Sequence, residues 1–123
     1  MMTGQVNANL EAKLSLEIRG AESKACIVET VIDTGFNGYL TLDASLIAEL
    51  ELPWQYRHHG ELADGSIQVF DVYEAIVVWN RRSRTIEVES VDADPLLGMA
   101  LMAGQQLRID VTDNGEASIS PFA

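Results

Sequence analysis

Apolar and polar residues alternate over Leu10–Ile18, which predicts a strand with Leu10, Ala12, Leu14, Leu16 and Ile18 on one face. A second strand is predicted over Ala25–Ile32, rich in β-branched residues and running straight into Asp33. Leu40-Thr41-Leu42 reads as a short third strand. Asp43 then suits the N-cap of a helix over Ala44–Leu50, ended by Pro53. Strands at Gly60–Leu62 and Ile67–Trp79 are joined by Ala63-Asp64-Gly65-Ser66, whose Asp-Gly step is a hairpin signal. Asn80–Ser83 turns the chain into a strand over Arg84–Val91. A short helix fits Met99–Ala103, and a last hairpin joins Gln106–Val111 to Glu116–Ser120. The fold class is all-β with one or two short helices.

Composition narrows the class. The 123 residues are 47% hydrophobic and 22% charged, with 9 Gly and 3 Pro, a globular mixture with no low-complexity tract or repeat. A chain of this length is expected to form one domain over 1–123, burying roughly two thirds of its unfolded surface. Apolar runs such as Ala75–Trp79 fall far short of the ~20 residues that cross a bilayer. Met1–Gln5 lacks the basic and apolar regions of a secretory signal. Cys26 is the single cysteine, so no internal disulfide forms, and a cytoplasmic location is expected.

Charge excludes further partners. Nineteen acidic residues against eight basic ones give −11, spread evenly along the chain. Arg81-Arg82-Ser83-Arg84 is the one basic cluster and reads as a solvated hairpin turn. Nucleic acid and anionic membranes are therefore not expected as partners. His58 and His59 are adjacent, so on an extended segment they point to opposite faces, and no metal site is expected. Cys26, beside Ile27 and Val28, reads as a small core hydrophobe.

Chemistry concentrates at Val31-Ile32-Asp33-Thr34-Gly35-Phe36-Asn37-Gly38. An apolar strand ends in a carboxylate, a hydroxyl residue and a glycine that permits a sharp turn and close approach. Downstream, Pro95-Leu96-Leu97-Gly98 sets two branched apolar residues before a glycine, and the Asp64-Gly65-Ser66 hairpin tip lies between. In this order the three elements resemble the retropepsin-like (clan AA) aspartic proteases, and most of all the small single-domain prokaryotic type. The resemblance covers about Leu14 to Ile119. It implies a closed β-barrel equivalent to half of a pepsin-type bilobal fold.

The resemblance also implies a mechanism. Asp33 is the catalytic residue, Thr34 and Gly35 support its loop, Asp64, Gly65 and Ser66 form a flap over substrate, and Leu96, Leu97 and Gly98 pack against the loop. One chain supplies one such acid, so a homodimer must bring two copies of Asp33 together. Two ionised carboxylates ~4 Å apart repel by about 4 kcal/mol at an effective dielectric of 20, so such a pair holds one proton. Peptides or unfolded proteins are the expected substrates, no cofactor or metal is required, and mildly acid pH and moderate ionic strength are expected to suit activity. Phe36 stands where retroviral relatives carry a small residue, and either narrows the cleft or fills a hydrophobic subsite. Ile119–Phe122 is a candidate dimer sheet, since Ile119 and Phe122 would otherwise be exposed. Three other readings stand beside the enzyme. Asp33 is an ordinary turn residue in the first, the barrel is a non-catalytic binding or assembly module in the second, and the motif is accidental in a small partner-binding barrel in the third.

Overall fold

The computed structural model describes residues 1–61 and 63–122. Leu62, the expected end of the Gly60–Leu62 strand, lies outside them. Among the described residues, ten strands and two short helices follow in the order β1 (Met2–Val6), β2 (Ala12–Arg19), β3 (Ala25–Ile32), β4 (Leu40–Leu42), α1 (Ala44–Glu49), β5 (Trp54–Glu61), β6 (Ile67–Trp79), β7 (Arg82–Ser90), β8 (Leu96–Leu97), α2 (Met99–Met102), β9 (Gln105–Ile109) and β10 (Glu116–Pro121). The protein is mostly β, as the alternation predicts. The strands form one sheet in the order β5-β6-β7-β4-β8-β3-β2-β1-β10-β9. Strand β6 also pairs with β2, through Glu17↔Val78 and Arg19↔Ile76, so the path of pairings from β2 through β3, β8, β4, β7 and β6 returns to β2.

Period-two burial builds the core. In β2, Ala12, Leu14, Leu16 and Ile18 are buried in one core cluster with Val28 and Ile32 of β3, Val77 of β6, and Ile86 and Val88 of β7. Thr30 is fully buried, and its hydroxyl donates to the Leu14 carbonyl at 2.7 Å, so no polar group is stranded there. Asp43 caps α1, its Oδ1 accepting from the Leu46 N–H at 2.8 Å.

Several expectations are corrected. Leu10 does not join the β2 face. The Asn7 side chain accepts from the Asn9 and Glu11 N–H groups and folds a tight turn that holds Leu10 at φ 60, 59% exposed. Strand β1, unmarked in the sequence reading, pairs with both β2 and β10. Strand β5 begins at Trp54 rather than Gly60, because both its faces meet solvent and no burial period marks it. Helix α1 ends at Glu49, capped by Leu50 and followed by a left-handed Glu51 (φ 51), so the backbone turns out of the helix before Pro53 is reached. Ile119 is 2% exposed within the single chain, because β10 lies between β1 and β9; it gives no reason for a dimer sheet, whereas Phe122 is 70% exposed. Cys26 is half-buried at the edge of the core, with burial, then Glu49, pushing its thiol pKa up.

Candidate active site

The Asp33 loop owes its position to a two-residue strand. β8 runs parallel to β3, with Val31↔Leu96 and Ile32↔Leu97, and Leu97 also pairs with Leu40 of β4. The segments before and after the loop are therefore the two neighbours of one strand. Val31 N–H donates to the Pro95 carbonyl and Asp33 N–H to the Leu97 carbonyl, both at 2.9 Å. The buried Thr41 hydroxyl accepts from the Leu96 N–H at 2.9 Å and fixes the start of β8.

Beyond β8 the chain stitches the loop shut. Gly98 N–H donates to the Tyr39 carbonyl at 2.9 Å, Met99 N–H to the Phe36 carbonyl at 2.8 Å, and Ala100 N–H to the Gly38 carbonyl at 3.1 Å. Gly98 has to be glycine here, because a Cβ would collide with the Gly38 carbonyl and the Phe36 ring. Leu96, Leu97 and Gly98 thus lie directly against the loop that carries Asp33, Thr34 and Gly35.

Within the loop, Asp33 is partly exposed, and its Oδ1 accepts the Gly35 N–H at 2.9 Å. Gly35 contributes space, since a Cβ there would sit 3.2 Å from that same oxygen. Thr34 is exposed at the turn. The loop therefore presents one oriented carboxylate, with an adjacent exposed hydroxyl, at the end of a core strand. The Phe36 ring packs over Gly38 and Gly98 of its own chain and props the loop, a role that the residue alone did not reveal. Gly38, between the two apolar rings Phe36 and Tyr39, was the available signal for that close packing.

The Asp64–Ser66 tip stands apart from this cluster. Residues Ile67–Asp71 of β6 pair only with Arg57–Glu61 of β5, so the hairpin projects as a two-stranded arm. Ile67 and Val69 on it are 70% and 49% exposed. At its tip, Asp64 accepts from the Ser66 hydroxyl at 2.6 Å and the Ser66 N–H at 2.9 Å, which holds its carboxyl below the usual range. Nearer its base, Asp71 accepts from Trp54 Nε1 and Arg57 Nε, each at 3.1 Å, and is likewise lowered. From β5, Tyr56 donates to Glu87 of β7 at 2.7 Å, a bond that raises the phenol pKa. His58 and His59 stand on exposed β5, and among the described residues no group of three His, Cys, Asp or Glu side chains could hold a metal ion.

Among solved structures, the fold matches the crystal structure of a retropepsin-like aspartic protease from Rickettsia conorii, with a TM-score of 0.55 and 16% identity, covering 97% of this chain and 91% of that one. No family model and no curated protein sequence matches the chain. The likeness is one of fold: a mostly β, retropepsin-like architecture over nearly the whole chain.

Proposed function

We propose that this chain is one half of a homodimeric aspartic endopeptidase, with Asp33 of each subunit in a shared site. The observation that carries the reading is the braced loop, which holds one oriented, partly exposed carboxylate at the end of a core strand on a retropepsin-like fold. The circuit of pairings through β2 and β6 supports a closed barrel as the scaffold.

Chemistry follows from two such carboxylates sharing one proton. The ionised Asp33 takes a proton from a water lying between the pair, and that water attacks the peptide carbonyl carbon. The protonated Asp33 donates to the developing oxyanion. The tetrahedral intermediate then collapses as a proton passes to the leaving amine, giving a carboxylic acid and an amine. Thr34 and Gly35 of each loop support the other across the twofold axis. The β5–β6 arm covers an extended peptide, its exposed Ile67 and Val69 offering apolar contact and its backbone offering strand-like pairing.

The test is cleavage of casein between pH 4 and 7 by the wild-type chain and by Asp33→Asn. Asparagine keeps the Oδ1 that accepts the Gly35 N–H, so the thermal midpoint should stay within about 2 °C while cleavage falls at least ~1000-fold. A dimer that cuts nothing at any pH would assign the chain to the non-catalytic binding modules instead.

A further inference from the structure

Five of the eight cationic side chains stand in ion pairs: Lys13, Arg19, Lys24, Arg57 and Arg108. The other three, Arg81, Arg82 and Arg84, have no carboxylate partner among the described residues, although the chain carries nineteen acids. All three line one groove of about 890 Å³, together with Trp79, Gln105 and Pro121, and among the described residues no acid lines it. A volume of that size is typical of small-molecule sites.

Two further features mark this groove. Trp79 is only 5% exposed, and its indole N–H is buried without an acceptor among the described residues, a condition that buried tryptophans rarely tolerate. Arg81 occupies the second position of the two-residue β6–β7 turn at φ 70, after Asn80 at φ 49. A turn with both φ angles positive favours Asn-Gly, so an arginine is held where glycine would relax the backbone. Arg84 Nη1 donates to the Leu101 carbonyl at 3.1 Å, which orients its guanidinium and leaves other N–H donors available.

We propose that this groove binds a small multivalent oxyanion, a molecule bearing two or more carboxylate or phosphate groups. Guanidinium forks match both groups bidentately, and Gln105 and Ser83 add neutral donors to the lining. A ligand oxygen drawn to the floor supplies the acceptor that the Trp79 N–H lacks. Small size is required, because a long polyanion would also meet the repulsion of a surface that is negative overall. The site is separate from the proposed catalytic loop, although α2 touches that loop through Met99 and the groove through Leu101.

Calorimetric titration of the full chain with pyrophosphate and with citrate, at low ionic strength, tests this and separates phosphate from carboxylate ligands. At least one should bind with a dissociation constant below ~1 mM, and Arg82→Gln should weaken it about 10-fold or more. Arg81→Gly should weaken it similarly while holding or raising the thermal midpoint, so loss of binding there cannot be ascribed to unfolding. Arg108→Gln, which removes a paired arginine, should leave affinity unchanged. In proton NMR, the Trp79 indole N–H resonance, assigned with Trp54→Phe, should move on titration. Absence of binding by both anions, equal binding by Arg81→Gly and Arg82→Gln, or an unmoved Trp79 resonance would each overturn the proposal.

Discussion

Glu89 lies on β7 between Thr41 of β4 and Val72 of β6, two buried positions. Burial raises its carboxyl pKa; His58 counters the rise, and Glu87 adds to it. A carboxyl raised in the folded state binds its proton more tightly there than in the unfolded chain. Its contribution therefore favours folding at low pH and is lost as pH climbs from the unfolded value through the folded one. Because the group is only partly buried, the effect is small. Glu89→Gln should raise the thermal midpoint by about 1–3 °C at pH 7 and by nothing at pH 3, as read by calorimetric melts. The Asp33-Thr34-Gly35 motif was legible at this scale, because its chemistry lies in consecutive residues. The place of Phe36 was not, since its ring rests on Gly98, more than sixty positions away in sequence.

Elements marked by burial on one face were legible, and those without it were not. Strand β6 runs Ile67–Trp79, the bounds that its apolar stretch and flanking turns predict. Strand β5 was hidden from Trp54 to His59 because it is exposed along nearly its whole length. An arm of two strands is marginal by itself, so its side-chain bonds decide its order. Asp71, lowered first by Trp54 and then by Arg57, stabilises the arm above the usual carboxylate range and loses that effect as pH falls through its depressed value. At mildly acid pH it therefore stays charged. Asp71→Asn should speed amide exchange across residues 54–71 several-fold at pH 6, with a global midpoint shift under about 2 °C. The β3–β8–β4 crossing is the opposite case, short but tightly packed. Gly98→Ala should cost about 1–3 kcal/mol in urea unfolding, by pushing the Gly38 carbonyl and Phe36 ring apart.

For the whole molecule, the sequence order of Asp-Thr-Gly, the Asp64–Ser66 hairpin and Leu-Leu-Gly suggested the architecture, and a retropepsin-like structural neighbour over 97% of the chain agrees in fold. The β6–β2 and β1–β10 pairings were not legible, because they join segments roughly 60 and more positions apart with no local signature. The burial of Ile119 follows from the second of these. A chain at −11 also resists meeting its own copy, so association should be examined at moderate ionic strength. The decisive measurement mixes wild-type and Asp33→Asn subunits in varied ratio, lets them exchange, and records peptide cleavage per total protein. If each pocket draws its acids from two subunits, activity follows the square of the wild-type fraction, about one quarter at an equal mixture. A linear fall, to about one half at that same mixture, would mean that each chain acts alone and would contradict the shared site.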